Sequence, residues 1–164
     1  STGGFTDCLL QHGAARVLAV DVGSGQLHPR LLNDPRVLNL ENTDIRNFSK
    51  EHYLQVPLNG ICADLSFISL SAVLPFLIRL ADKGTVFLFL LKPQFETPPG
   101  SKNKKGIVQN HVLRKKALLN LLQLLQAAGV QVHGTVETDV QNDSRKNIEY
   151  LIYASLPNDV APED

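Results

Sequence analysis

Three ionisable residues stand at the ends of predicted strands, where side chains from separate segments meet. Asp64 ends one apolar run and Lys92 ends the next, while Glu149 stands at the start of the last run. That last run follows its predecessor after a connection too short for a helical crossover, so it should run antiparallel. Its start then lies at the edge where the parallel strands end. The sequence predicts a lysine beside two carboxylates, a cluster suited to general acid–base work or to stabilising a developing negative charge.

Two glycine-rich segments compete for the role of a ligand loop. If residues 20–27 (VDVGSGQL) form it, Glu41 would be the acid that binds ribose hydroxyls, but Pro29 interrupts the helix that should follow. If residues 1–7 (STGGFTD) form it, Asp21 follows at close to the expected spacing of roughly twenty residues. This second interpretation requires a first strand before Ser1. The pattern alone favours the loop at residues 1–7 and leaves the other open.

Short apolar runs alternate with helical patterns, which is typical of a doubly wound α/β fold with a mostly parallel sheet. Consecutive apolar residues in several runs indicate strands that are covered on both faces. The six predicted strands are Arg16 to Asp21, Val37 to Leu40, Gly60 to Asp64, Thr85 to Leu91, Val130 to Val136 and Ile148 to Ala154. The predicted helices are Phe5 to His12, Ser71 to Ala81 with Pro75 near its first turn, and Val112 to Ala128. The loop from Phe95 to Lys105 is long enough to indicate a function.

Composition narrows the class of protein. The 164 residues fit one domain, and 16 basic residues balance 16 acidic ones, so net charge does not indicate a polyanionic partner. Cys8 and Cys62 match no metal spacing, and no metal site is expected. The longest apolar run is too short to span a bilayer. With no secretory leader visible, a cytoplasmic location is expected.

Four segments, in order, carry a resemblance over nearly the whole chain. They read STGGFTDCLLQHGAARVLAVDVGSGQL, LENTDIR, ADLSFISL and LLKPQFE. In these segments the sequence resembles the TlyA or hemolysin A group of FtsJ-like, S-adenosylmethionine-dependent RNA methyltransferases. The resemblance implies a Rossmann-like methyltransferase fold over residues 1–164, with the family's first strand and its S4-type RNA-binding domain lying before Ser1. The sequence departs from the family's pattern at Ser24, at His28-Pro29 and at Gln109-Asn110, which puts substrate fit in doubt more than fold.

The resemblance also implies roles for individual residues. FtsJ-like ribose methyltransferases use a Lys, Asp, Lys, Glu tetrad, and Asp64, Lys92 and Glu149 match its last three members, with the first lysine expected upstream. The cofactor would be S-adenosylmethionine. Its methionine end would lie against Gly3, Gly4 and Phe5, its ribose against Asp21 and its adenine amine against Asp44. A basic cluster near the same edge would neutralise RNA phosphates; its members are Lys102, Lys104, Lys105, Arg114, Lys115 and Lys116.

The function expected from this resemblance is methylation of ribose 2′-hydroxyls in ribosomal RNA, free or within ribosomal subunits. Two alternatives stay open: a lytic protein, which the name hemolysin invites, and an inactive RNA-binding module with the same fold. No membrane partner is expected. Without its first strand the sheet would keep an unpaired edge, which predicts weak cofactor binding and a possible homodimer through that edge.

Overall fold

The computed structural model describes residues 1–138 and 146–158. The chain divides into two compact units, Ser1–Tyr53 and Leu54–Asp164, which are described separately. Both units combine helices with strands, as the α/β pattern predicts. The chain's assignment as one domain over residues 1–164 stays a prediction.

The first unit is built around two parallel strands. Its elements are α1 (Gly4–Gln11), β1 (Val17–Val20), α2 (Pro29–Leu32) and β2 (Val37–Leu40), followed by 3-10 turns at Ile45–Asn47 and Lys50–His52. β1 and β2 pair in register from Val17 opposite Val37 to Val20 opposite Leu40. Leu10, Leu27 and Leu31 form the buried core, against which both strands pack. The predicted left-handed end of the first helix is confirmed, since Gly13 has φ 92.

The expectation that Pro29 would interrupt a helix is wrong. Pro29 is the first residue of α2, and the side chain of His28 caps that helix by accepting a hydrogen bond from the Arg30 N–H. Proline suits this position because its fixed φ is already helical and the N–H that it lacks would have no helical partner. Its presence therefore marks where a short helix begins.

The second unit contains a four-stranded mixed sheet. Its elements are β3 (Gly60–Asp64), α3 (Leu70–Leu80), β4 (Val86–Leu91), α4 (Pro93–Glu96), α5 (His111–Ala127), β5 (Gln131–Glu137) and β6 (Tyr150–Ser155). The strand order is β3-β4-β6-β5. β3 and β4 are parallel, and β6 is antiparallel to both β4 and β5. The predicted antiparallel last strand is thus confirmed, and β3, β4 and β5 run in one direction.

Two helices of this unit begin at side-chain caps. Ser69 accepts a hydrogen bond from the Ala72 N–H at the start of α3, and Asn110 accepts from Val112 and Leu113 at the start of α5. Pro75 was expected near the first turn of its helix, but it is the sixth residue of α3. Pro75 thus lies in the second turn, where a proline cannot donate the helical hydrogen bond to the residue four positions before it.

The strand β4 is covered unevenly, against the expectation of two buried faces. Phe87, Phe89 and Leu91 are fully buried, whereas Val86 on the alternate face is 38% exposed. Alternate residues of a strand point to opposite sides of the sheet, so one face of β4 carries the core of this unit. A run of consecutive apolar residues therefore did not guarantee burial on both faces.

Candidate active site

Lys92 and Asp64 form an ion pair at the carboxyl ends of two neighbouring parallel strands. Asp64 is the last residue of β3, where it lies opposite Leu90, and Lys92 directly follows β4. The Lys92 Nζ lies 2.6 Å from the Asp64 Oδ1 and 3.3 Å from the Ser66 Oγ. The lysine side chain is 14% exposed and the aspartate side chain 45%. The edge of the sheet thus presents a largely covered ammonium to a carboxylate that solvent still reaches.

Glu149 stands at the same edge, on the antiparallel side of β4. Leu91 lies opposite Tyr150, so Lys92 and Glu149 are the next residues beyond the ladder. The Glu149 N–H donates to the Thr138 Oγ1, and its carbonyl accepts from the Thr138 N–H. Within the described ranges no ion pair joins Glu149 to Lys92. The geometry therefore brings Asp64 and Lys92 into contact and Glu149 to the adjacent strand.

The Glu149 side chain is held by a residue that the sequence did not single out. The Gln94 Nε2 donates to the Glu149 Oε1 at 2.8 Å. Gln94 lies in the short helix α4, which begins at the fully buried Pro93 immediately after Lys92. One turn of chain thus carries both the lysine and the amide that contacts the glutamate.

An aromatic pair lies in the two segments that follow Asp64 and Lys92, and one of its rings is exposed. Phe67, three residues after Asp64, is 92% exposed and has φ 64, in the left-handed region that side chains other than glycine rarely adopt. Its ring lies 5.4 Å from that of Phe95, and the Lys102 Nζ lies 6.0 Å from the Phe95 ring centroid. A large apolar ring held in solvent by a strained backbone is a candidate contact for a ligand.

Glu96 fixes the loop that carries Ser66 and Phe67. Its Oε1 accepts from the Leu70 N–H at 2.5 Å, and its Oε2 accepts from the Ser69 Oγ at 2.8 Å. This carboxylate therefore joins α4 to the N-terminus of α3, where negative charge is favoured. Sequence reasoning missed these residues individually, although ADLSFISL and LLKPQFE contain all of them.

The glycines predicted to meet the cofactor differ in what the structure requires of them. Gly3 has φ 99, and a Cβ added there would lie 2.6 Å from the Leu27 Cδ1, so the fold itself demands glycine. Gly4 begins α1 and has no atom within 4 Å of an added Cβ. Phe5 is half-buried in the first turn. The space beside Gly4 fits the close approach of a ligand.

Asp21 directly follows β1 and lies in a network that joins two loops. Its Oδ1 accepts from the Gly23 N–H at 2.8 Å, and its backbone carbonyl accepts from the Thr43 N–H at 2.9 Å. Glu41, at the end of β2, accepts from the Gly25 N–H at 2.9 Å. Both carboxylates thus stand at strand ends, as binding of ribose hydroxyls requires.

Asp44 already has a partner for each of its oxygens. It caps the turn Ile45–Asn47, where the Arg46 N–H donates to its Oδ1 at 2.9 Å and the Arg46 Nη2 to its Oδ2 at 2.6 Å. The Arg46 side chain lowers the pKa of Asp44 to about 2. The role of Asp44 in binding an adenine amine stays a prediction.

The predicted RNA-binding cluster is heterogeneous. Lys104, Lys105 and Lys115 are exposed, as phosphate contacts require. The Arg114 Nη1 instead donates to the carbonyls of Val108 and Gln109 at 2.9 and 2.8 Å, which braces the start of α5. These bonds direct one nitrogen of the guanidinium towards the backbone, so Arg114 is less suited than the exposed lysines to a phosphate contact, and its assignment stays a prediction.

Asn147 attaches the lysine-bearing loop to the segment that precedes Glu149. Its Oδ1 accepts from the Val108 N–H at 2.9 Å, and its Nδ2 donates to the Gly106 carbonyl at 3.1 Å. Asn103 closes the loop internally by accepting from the N–H groups of Lys105 and Ile107. The loop therefore has a defined path beside the candidate site.

Two further searches bear on the class of site. Across residues 1–138 and 146–158, no group of three or more His, Cys, Asp and Glu side chains could hold a metal ion. In that same part of the chain, no helix is long and apolar enough to cross a bilayer.

The fold, with an ion pair where its parallel strands end, defines an α/β protein of Rossmann-like methyltransferase architecture. Comparison with known proteins supports this class. The FtsJ-like methyltransferase family profile matches residues 1–156. The chain belongs to the FtsJ-like methyltransferase family. The N-methyltransferase NodS from Bradyrhizobium japonicum, 15% identical with a TM-score of 0.62 over 96% of this chain and 82% of its own, shares the fold.

Several relatives are similar over nearly all of this chain. The 16S/23S rRNA (cytidine-2′-O)-methyltransferase TlyA from Mycobacterium tuberculosis is 40% identical over 98% of this chain and 59% of its own. Hemolysin A from Brachyspira hyodysenteriae is 37% identical over 93% of this chain and 63% of its own. A candidate hemolysin from Lactococcus lactis superposes with a TM-score of 0.87 at 32% identity, over 94% of this chain and 74% of its own. The chain thus spans about three fifths of the curated relatives' length.

Proposed function

We propose that this chain is the catalytic part of an S-adenosylmethionine-dependent methyltransferase that acts on ribose 2′-hydroxyls of ribosomal RNA. The observation that carries the proposal is the Lys92 ammonium, 2.6 Å from Asp64, with Glu149 at the start of the neighbouring strand. This is the arrangement expected of the last three members of the family's tetrad. Ribosomal RNA as the substrate rests on what the relatives are named for.

The chemistry that these side chains serve is a displacement at carbon. S-adenosylmethionine, when bound, supplies a methyl group activated by a sulfonium. In the transfer a new O–C bond would form to the 2′-oxygen as the C–S bond breaks, the electron pair of that bond would stay on sulfur, and the hydroxyl proton would pass to water. Lys92 contacts the hydroxyl and stabilises the developing negative oxygen, while Asp64 and Glu149 orient and neutralise the lysine. Positioning by these groups contributes much of the rate.

The residues of the first unit fit the proposed cofactor. Open space beside Gly4 leaves room for the methionine end to approach the backbone at α1. The Asp21 side chain, 30% exposed, has acceptor capacity for ribose hydroxyls beyond its bond from Gly23. Asp44 is proposed for the adenine amine, where it would share its oxygens with Arg46.

An exposed aromatic ring and several exposed lysines in the second unit support an RNA substrate. An unpaired base can stack on the Phe67 ring regardless of its identity, and cations nearby can neutralise phosphates. Lys102, Lys104, Lys105 and Lys115 are proposed for this electrostatic role. RNA ribose becomes accessible to an enzyme most readily where bases are unstacked, and an exposed ring such as that of Phe67 suits an unstacked base.

The test is mass mapping of ribosomal RNA and of isolated subunits after incubation with S-adenosylmethionine bearing a deuterated methyl group. Both this chain and the product of the full reading frame should be assayed. We expect one or a few nucleotides to gain a labelled methyl group on the ribose. Cofactor binding by calorimetry without any transfer would favour an inactive RNA-binding module. No cofactor binding and no transfer by the full reading frame would refute the proposal.

The lytic alternative rests on the names of relatives. It predicts release of dye from liposomes at nanomolar protein concentrations, with no dependence on S-adenosylmethionine. The Lys92→Met variant separates the two functions, because it should lose methyl transfer and leave any lysis unchanged.

A further inference from the structure

Gln94 makes the hydrogen bond that holds the Glu149 carboxylate in place. The backbone of Glu149 is held by Thr138, but its side chain has freely rotating bonds beyond the Cα. In the described part of the chain, the hydrogen bond from the Gln94 Nε2 at 2.8 Å is the polar contact recorded for that carboxylate. Glu149 Oε1 is therefore engaged, and Oε2 is left to face other groups at the sheet edge.

The other end of the Gln94 amide makes no hydrogen bond to the protein. Its Oε1 is buried and has no hydrogen-bond partner in the described part of the chain. Leaving a buried acceptor without a partner costs more than a net hydrogen bond usually returns, so the contact adds little to stability. Turning the amide around would bring Oε1 against the carboxylate, so the donor must face Glu149. An apolar side chain of the same shape would make the fold more stable.

The position of Gln94 in the chain links it to the lysine. Lys92, Pro93 and Gln94 are consecutive, and the buried Pro93 fixes the direction in which the chain leaves β4. The lysine and the amide thus move as one rigid turn. Through the amide, the Glu149 carboxylate acquires a fixed position relative to Lys92, although the two residues come from different strands.

We infer that Gln94 is a positioning residue, whose amide holds the Glu149 carboxylate beside the Lys92–Asp64 pair during methyl transfer. The inference rests on the proposed function. Gln94 does not touch the reacting atoms, and its effect is on the geometry of Glu149. A misplacement of about 1 Å in such a group can reduce a rate about 100-fold.

The principal test is Gln94→Met in the product of the full reading frame, with Gln123→Met on the exposed surface of α5 as the matched control. Methionine keeps the length of the side chain and removes both the donor and the stranded oxygen. We expect kcat to fall roughly 10- to 100-fold. The KM for RNA and the Kd for the cofactor should stay unchanged, and the melting temperature should stay unchanged or rise. Wild-type kcat, or a kcat that falls together with the melting temperature, would overturn the inference.

The exchange Gln94→Glu with Glu149→Gln provides a second variant. It restores an amide–carboxylate hydrogen bond with the two groups swapped, so the protein should fold with a melting temperature near that of the wild type. We expect kcat to be at least as low as in Gln94→Met, because residue 149 no longer carries the carboxylate that acts beside Lys92. Recovery of kcat in the exchanged protein would contradict the inference that Gln94 positions the Glu149 carboxylate.

An NMR measurement separates this inference from the proposed function. The side-chain amide signal of Gln94 should shift, and its protons should exchange faster, when Glu149 is replaced by Ala. If the wild type transfers no methyl group but the amide responds, the proposed function fails and the contact stands. If the wild type is active and the amide does not respond, the proposed function stands and the role of Gln94 fails.

Discussion

Replacement of Lys92 by Met should separate catalysis from folding. Methionine keeps the length of the side chain and removes the ammonium. Loss of a group that stabilises the transferred proton or the developing oxyanion reduces rates by about 10²–10⁴, which corresponds to about 3 to 5 kcal/mol in the activation free energy. The free energy of unfolding should change by less than about 1 kcal/mol, because the Asp64 carboxylate left behind is 45% exposed and water can solvate it.

The reverse replacement, Asp64→Asn, should be the more destabilising of the two. It leaves the ammonium of Lys92, whose side chain is 14% exposed, with the Ser66 hydroxyl and a neutral amide in place of a carboxylate. Leaving a covered charge without its counterion costs more than removing the charge itself.

The assay is single-turnover methylation of ribosomal RNA at saturating S-adenosylmethionine, with urea unfolding of each variant and Lys83→Met as the lysine control. Lys83 precedes the opposite end of β4 from Lys92 and should leave kcat unchanged. Turnover of Lys92→Met within about threefold of the wild type would remove Lys92 from catalysis. A larger loss of unfolding free energy in Lys92→Met than in Asp64→Asn would refute the reasoning from exposure.

Three further predictions follow from other parts of the structure. Phe67→Gly should leave the free energy of unfolding unchanged or raise it by up to about 1 kcal/mol in urea titrations. Relief of about 1–2 kcal/mol of left-handed strain is offset in part by the lost ring contact, about 0.5 kcal/mol, and by the freedom of glycine in the unfolded chain, about 0.5–1 kcal/mol. The RNA affinity of this variant should fall about tenfold, and a clear loss of stability would contradict the strain. The hydrogen bond from the Arg46 side chain lowers the pKa of Asp44 from its ordinary value of 3.8 to about 2. The stability that this pair contributes should therefore be complete above about pH 4 and should disappear as pH falls through about 2. Carboxyl NMR titration should give a higher pKa for Asp44 in Arg46→Ala, and an unchanged pKa would argue against the pair. Replacing both Lys104 and Lys105 by Met should reduce the slope of log RNA affinity against log salt by about 0.7 per lysine, whereas an unchanged slope in filter binding would exclude them from phosphate contact.

Local patterns in the sequence were sufficient to place most elements of the fold. β3 runs from Gly60 to Asp64 as predicted, and α5 differs from the predicted helix by one residue at each end. The antiparallel direction of β6 followed from the length of a connection. These features depend on periodicity and on the length of connections, which involve residues close together in the chain. A single sequence is therefore enough to predict them.

The contacts at the sheet edge were determined only by tertiary structure. The sequence predicted that Asp64, Lys92 and Glu149 share one edge, because strand ends in such a sheet must coincide there. It also predicted a lysine beside two carboxylates. It did not predict that Lys92 pairs with Asp64 and not with Glu149, or that Gln94 holds the Glu149 side chain. Strand register and side-chain rotamers decide which neighbours touch, and both depend on residues distant in the chain. The left-handed backbone and the exposed ring of Phe67 could not be predicted from the sequence either. They belong to a loop that is held by Glu96, a residue distant in the chain.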